Sequence, residues 1–216
     1  MRIRVKFCGI TSIEDRDSAI IAGADAIGLV FFKDSPRFVS LEKAERITRD
    51  MPPFMSAVGV FVNEDLEFIE ECIERCNLNA VQLHGDEDAD YCLKFRSRNF
   101  NGVKLIKSIR VKDKRSIASI ENCPGDAILL DAYKKEIYGG TGEGFDMSLA
   151  VIAKEYGKNI IMSGGLNPDN VYEIIKKVKP YGVDVSSGIE SSPGRKNMEL
   201  MEEFMKEVNR AEKELL

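Results

Sequence analysis

The sequence predicts an α/β fold: a single eight-stranded parallel (β/α)8 barrel of the TIM type, spanning residues 1–216 as one domain. Three observations carry that prediction. Eight short apolar, β-branched runs alternate with helical patterns from end to end. The runs are apolar at nearly every position, as strands covered on both faces must be. Their C-terminal ends recur every 22–32 residues, the spacing of a strand–helix repeat, and eight right-handed repeats close a barrel.

The strand candidates are residues 4–8, 26–31, 55–62, 80–84, 102–108, 127–131, 159–163 and 182–186. Helices fill the gaps. Ser12 is placed to cap the first, which carries Ile13, Ala19, Ile20 and Ala22, and Ser40 opens the second. Asn63 is expected to cap residues 64–76, whose stripe is Leu66, Ile69, Ile73 and Cys76. Shorter patterns follow at 86–95 and 112–120. Longer ones occupy 146–156, 168–178 and 197–215, with Asn167 as the expected cap of the seventh helix and Pro168 at its first position. The two long intervals mark enlarged loops at 32–39 and 132–145. Loops that follow strands build the active-site face of this fold, so the site is expected at the C-terminal ends of the strands.

Composition narrows the function classes. The chain has 216 residues, 44% hydrophobic and 31% charged, with a formal net charge of -5. No basic excess is available to displace counterions from a polyphosphate backbone, so nucleic acid is not an expected partner. No uncharged apolar run approaches about 18 residues, so no membrane span is expected. The opening MRIRVKFCGIT lacks the apolar segment of a signal peptide. Five scattered cysteines then read as reduced thiols, and the expected location is the cytoplasm. Cys72 and Cys76 share one helix without a second Cys/His pair, so core packing is expected there rather than a metal. One histidine in the chain argues the same way. Neither a metal nor a cofactor is expected.

Polar and reactive residues gather at the strand ends: Lys6 and Cys8, Gln82 and His84, Asp131, Ser163, and Asp184 with Ser186, with Arg37 in the loop after the second strand. A buried run that ends on a polar residue directs it into the catalytic mouth. Two glycine-rich loops follow the last two strands. One carries Ser163, Gly164 and Gly165, and the other Ser186, Ser187 and Gly188. Phosphate-binding barrels use this pair of loops, because glycines let backbone N–H groups converge on an oxyanion. A third cluster, residues 138–145, includes Gly142 and is placed to act as a lid or positioning loop.

Several motifs make a family resemblance specific. Lys6-Phe-Cys-Gly-Ile-Thr resembles the opening of the phosphoribosylanthranilate isomerases of tryptophan biosynthesis. Ser35-Pro-Arg, Val58-Gly-Val-Phe-Val, Val81-Gln-Leu-His-Gly, Leu130-Asp, Gly139-Gly-Thr-Gly, Ser163-Gly-Gly-Leu and Val183-Asp-Val-Ser-Ser-Gly-Ile-Glu follow in that family's order. The resemblance implies an Amadori rearrangement of N-(5-phosphoribosyl)anthranilate, with Cys8 as general base, Asp131 as general acid and Arg37 on the substrate carboxylate. Lys6, Gln82, His84, Gly142 and Asp184 are the expected further substrate contacts. Phe145-Asp-Met departs from the family, which more often has tryptophan after the aspartate; this chain has none. The expected partner is a phosphorylated aminosugar, and the expected assembly a monomer or homodimer.

The chemistry demands such a pair. Opening the furanose ring needs a proton on the ring oxygen, and the resulting imine must lose a proton from the adjacent carbon. Reference side chains, about 8.5 for a thiol and 3.9 for a carboxyl, are poorly matched to those roles, so the site must tune them or route a proton through the substrate. Two readings compete. Other phosphosugar barrels resemble the chain at the phosphate loops, but the epimerases need histidine-rich metal ligation, the indoleglycerol-phosphate synthases a catalytic lysine, and the isomerases of histidine biosynthesis two aspartates. A non-catalytic phosphometabolite-binding barrel would keep the glycine loops without needing Cys8 and Asp131.

Overall fold

The computed structural model describes residues 1–100, 102–132 and 147–215. Eight parallel strands, β1 (Arg4–Cys8), β2 (Ala26–Val30), β3 (Ser56–Phe61), β4 (Ala80–Leu83), β5 (Lys104–Val111), β6 (Ala127–Ala132), β7 (Asn159–Ser163) and β8 (Gly182–Val185), pair in chain order. β8 returns to β1, with Lys6 opposite Asp184, and closes the barrel. Eight helices alternate with them: α1 (Ile13–Ala22), α2 (Leu41–Thr48), α3 (Leu66–Cys76), α4 (Ala89–Ser97), α5 (Lys114–Ala118), α6 (Met147–Ala153), α7 (Val171–Val178) and α8 (Met198–Lys213). After β8 comes a short 3-10 turn, then an antiparallel hairpin of β9 (Glu190–Ser192) and β10 (Arg195–Lys196). None of the described helices is long and apolar enough to cross a membrane.

Side-chain alternation divides each strand between two environments. One set of side chains, among them Val5, Phe7, Ile27, Leu29, Val81 and Leu83, packs outward against the helices in the main core. Phe31 and Phe61 stack there with centroids 5.0 Å apart. The alternate set fills the barrel. Val58, Ala80, Ile106, Ala127, Leu129 and Ile161 form its apolar plug. Two residues further along the strands, Gln82, Asp131 and Ser163 replace Ala80, Leu129 and Ile161. The interior thus turns from apolar to polar toward the C-terminal ends, and this change of lining creates the site.

The helix starts follow local hydrogen-bonding chemistry. Ser12, Ser40, Asp88, Asp113 and Asn197 each accept a backbone N–H of the first turn. Two starts differ from expectation. Asn63 does not cap α3; it sits in the left-handed region at φ 51, and its Oδ1 accepts the amide of Asp86 in the next strand–helix loop. The N-cap position belongs to Asp65, whose side chain makes no capping bond. Asn167 accepts the amides of Asp169 and Asn170, but these belong to a turn, and α7 begins only at Val171. Pro168 therefore lies outside the helix. β5 also runs three residues past the expected end, because Ile109 and Val111 continue its alternation and pair with Leu130 and Ala132.

Candidate active site

A cavity of about 280 Å³ opens at the C-terminal ends of the strands. Cys8, Arg37, Gln82, His84, Asp131 and Asp184 line it, and so do Ser163, Gly164, Gly165, Ser186 and Ser187. Lys6 lies beneath its floor. Gly188 sits behind its wall: a Cβ there would fall 1.9 Å from the carbonyl oxygen of Leu166, so the loops after β7 and β8 are in backbone contact. Gly142 and the whole 138–145 cluster are outside the described residues. β5 contributes nothing to the lining. Its Lys107 instead pairs with buried Glu87 at 2.7 Å.

The β1 side of the cavity is densely charged. Lys6 Nζ donates to Asp184 Oδ1 at 2.6 Å, both side chains buried. Burial opposes the ammonium, but Asp184 and Cys8 outweigh it and the Lys6 pKa is raised. Cys8 shares this pocket because β2 carries glycine opposite it; a Cβ on Gly28 would lie 2.8 Å from Cys8 Sγ and 3.2 Å from Lys6 Nζ. Burial pushes the Cys8 thiol up, Asp184 pushes it the same way, and Lys6 and Lys196 only partly offset them.

Arg37 crosses from the loop after β2, its side chain lying over Gly9. Its Nε donates to Glu190 Oε1 at 2.8 Å and its Nη2 to Glu190 Oε2 at 2.6 Å, a bidentate pair. Lys196 Nζ donates to the same Glu190 Oε1 at 2.8 Å and to the Ser186 carbonyl at 3.1 Å. Burial alone would raise the Glu190 carboxyl, but Arg37 and Lys196 hold it below its ordinary value. For Lys196 burial prevails, and its pKa is lowered. The hairpin that carries both is fixed at its tip, where the Gly194 carbonyl accepts from Thr11 Oγ1 at 2.7 Å. Glu190 and Lys196 were not among the site residues expected from sequence. Pro193-Gly194 between two short polar runs is the turn signal that announces their hairpin.

The β4–β6 side is looser. Gln82 Nε2 lies 2.9 Å from His84 Nδ1, and His84 Nε2 lies 3.5 Å from Asp131 Oδ2. The His84 and Asp131 side chains are 27% and 28% exposed. Among the described residues, Gln82 Oε1 and Ser186 Oγ are buried without a hydrogen-bond partner. Opposite them, Ser163 Oγ donates to Asp184 Oδ2 at 3.4 Å. Gly164 and Gly165 follow with φ of 88° and 70°, a left-handed turn at the mouth of β7. A thiol and a carboxyl facing one cavity can exchange protons with a small molecule, and the two contacting loops offer backbone N–H groups to an anion. Among the described residues no group of three His, Cys, Asp or Glu side chains is arranged to hold a metal.

Comparison with known proteins agrees over nearly the whole chain. Residues 5–207 match the family model described as N-(5'-phosphoribosyl)anthranilate (PRA) isomerase. The N-(5'-phosphoribosyl)anthranilate isomerase of Trichlorobacter lovleyi is 47% identical over 209 residues, 97% of this chain and 99% of that one. That of Geobacter sulfurreducens is 48% identical, covering 94% and 97%. Among solved structures, the phosphoribosylanthranilate isomerase of Thermotoga maritima superposes with a TM-score of 0.88 at 42% identity, covering 96% and 99%. A phosphoribosylanthranilate isomerase in complex with reduced 1-(o-carboxyphenylamino)-1-deoxyribulose 5-phosphate gives 0.85 at 40% identity, with the same coverage. The chain belongs to the N-(5'-phosphoribosyl)anthranilate isomerase family.

Proposed function

We propose that the chain converts N-(5'-phosphoribosyl)anthranilate to 1-(2-carboxyphenylamino)-1-deoxyribulose 5-phosphate by general acid–base catalysis, with Asp131 as acid and Cys8 as base. The observation that carries this reading is the single cavity onto which both open, from strands three apart around the shorter arc of the barrel. Asp131 gives a proton to the ring oxygen as the C1–O bond breaks and the nitrogen lone pair forms the imine. The Cys8 thiolate removes the proton on C2 to give an enolamine, and tautomerisation with protonation at C1 yields the ketone. Atoms are conserved and no external redox partner enters, so side chains suffice for the proton transfers.

Placement of the substrate follows from the lining. Ser163, Gly164, Gly165, Ser186, Ser187 and Gly188 are assigned to the phosphate, Arg37 to the anthranilate carboxylate, and Gln82, His84 and Asp184 to the ribose. Lys6 supports the floor through Asp184. A phosphorylated aminosugar is thus the proposed partner, in a single-domain cytoplasmic enzyme. The Thermotoga maritima relative is described as dimeric, which supports a homodimer, to be checked by sedimentation equilibrium. The function is tested by adding phosphoribosylanthranilate to the purified protein and following its fluorescence. Enzyme-dependent loss with formation of the ketose supports the reading. Saturable binding with no loss would make the protein a phosphometabolite binder instead.

A further inference from the structure

Lys196 takes no part in the proposed proton transfers, yet its ammonium is buried, with the side chain 1% exposed. Burying an ammonium is costly unless its surroundings use it. Two of its hydrogens go to atoms with different duties. One goes to Glu190 Oε1, which also accepts from Arg37. The other goes to the carbonyl of Ser186, the residue that leads into the Ser187–Ile189 turn of the phosphate loop.

A guanidinium has two edges able to take a carboxylate. Glu190 occupies the Nε–Nη2 edge of Arg37. Among the described residues no carboxylate takes the Nη1–Nη2 edge, which is available to a second one, and Arg37 lines the cavity. Glu190 therefore orients Arg37 rather than blocking it. It would, however, also cancel the charge of Arg37 and leave a neutral pair with little attraction for an anion. Lys196 offsets Glu190, so the trio Arg37, Glu190 and Lys196 keeps a net charge of +1 at the cavity wall.

We propose that Lys196 is a positioning residue for the isomerisation: through Glu190 it keeps Arg37 both oriented and effectively cationic, and through the Ser186 carbonyl it ties that carboxylate clamp to the phosphate loop. The inference rests on the assignment of Arg37 to the anthranilate carboxylate made above.

Steady-state kinetics on phosphoribosylanthranilate with four proteins tests it: wild type, Lys196→Met, Lys196→Arg and the double variant Glu190→Gln/Lys196→Met. Lys196→Met leaves the charge of Arg37 cancelled by Glu190, so KM should rise roughly tenfold or more, the order of effect seen when one member of a buried charge cluster is removed, with a smaller change in kcat. The double variant deletes one charge of each sign and leaves Arg37 cationic. It should recover most of the lost affinity, which a merely structural role for Lys196 would not produce. Lys196→Arg should remain within a few-fold of wild type. KM for Lys196→Met within twofold of wild type overturns the proposal. So does a double variant as weak as Lys196→Met or weaker. If Lys196→Met fails to fold, the double variant and Lys196→Arg decide: both must bind substrate within a few-fold of wild type, and a tenfold weakening in the double variant overturns the inference. Failure of the wild type to turn over at all would instead defeat the functional reading.

Discussion

The two sides of the cavity are built differently. Around Cys8, the Lys6–Asp184 pair and the Arg37–Glu190–Lys196 trio are each held by contacts of 2.6–2.8 Å and are largely shielded from solvent. Around Asp131, the nearest charged or hydrogen-bonding contact among the described residues is a 3.5 Å approach to His84, and both side chains are partly exposed. A base that must exist as a thiolate in a buried site needs fixed cations beside it before substrate arrives. An acid must gain and lose its proton each turnover, and access to solvent serves that. Under the proposed roles of Cys8 and Asp131, the contrast predicts that the Cys8 side combines catalysis with fold stability, whereas the Asp131 side contributes to catalysis alone.

The largest effect should come from Cys8→Ser. A serine hydroxyl is a far poorer base, and the loss should be about 10²–10⁴-fold in kcat, measured by the fluorescence assay. Wild-type turnover in this variant would remove Cys8 from the mechanism. The raised thiol pKa gives a companion test. Burial favours the neutral thiol, so the thiolate fraction is small at neutral pH and grows as pH rises toward the thiol's own pKa. The value of kcat/KM should therefore climb from about pH 7 and keep climbing past about pH 8.5, where an ordinary thiol would begin to level off. A flat profile there would mean that the surrounding cations, not burial, decide the state of Cys8.

Next, Lys6→Met should reveal the structural burden of the base side. It leaves the Asp184 carboxylate buried without its ion-pair partner, at a cost of about 3–5 kcal/mol. For a chain of this size that lowers Tm on the order of 10 °C, read by thermal melting. Asp131→Asn should do the reverse. Asparagine keeps the shape but cannot release a proton, so kcat should fall about a hundredfold or more while KM stays within a few-fold. Its stability should stay within about 0.5 kcal/mol, as for partly exposed sites. If Asp131→Asn melts early, or if Lys6→Met does not, the division between the two sides fails.

What was legible in the sequence follows the same division. Strand ends could be read because alternation sends Gln82, Asp131 and Ser163 inward where the apolar plug stops, and the phosphate loops because glycines announce themselves. Cys8 could be placed on the same grounds. The cations around it could not all be found. Lys196 sits in a short polar stretch that reads as a solvated turn, and only the fold of the hairpin against Arg37 and Ser186 buries it. Asn63 misled for a related reason: asparagine before an acidic helix has the chemistry of a cap, but its φ of 51° turns the amide to the neighbouring loop. Local rules located the elements, while contacts between loops far apart in sequence decided which charges are buried together.

The smallest effect expected is that of His84→Gln, and it probes the acid side most directly. With the Gln82 amide donating to Nδ1, the imidazole carries its hydrogen on Nε2, facing Asp131 Oδ2 at 3.5 Å. That separation is at the outer limit of a hydrogen bond, where the interaction is weak. A glutamine amide can also donate toward Asp131, so kcat should fall only roughly two- to fivefold, with KM little changed. A loss of a hundredfold would show that His84 and Asp131 act as one unit sharing a proton. The acid side would then be as tightly organised as the base side, and Gln82 Oε1, which has no partner among the described residues, would mark an amide turned the other way, accepting from Nδ1–H and freeing Nε2 to receive the proton of a carboxylic acid.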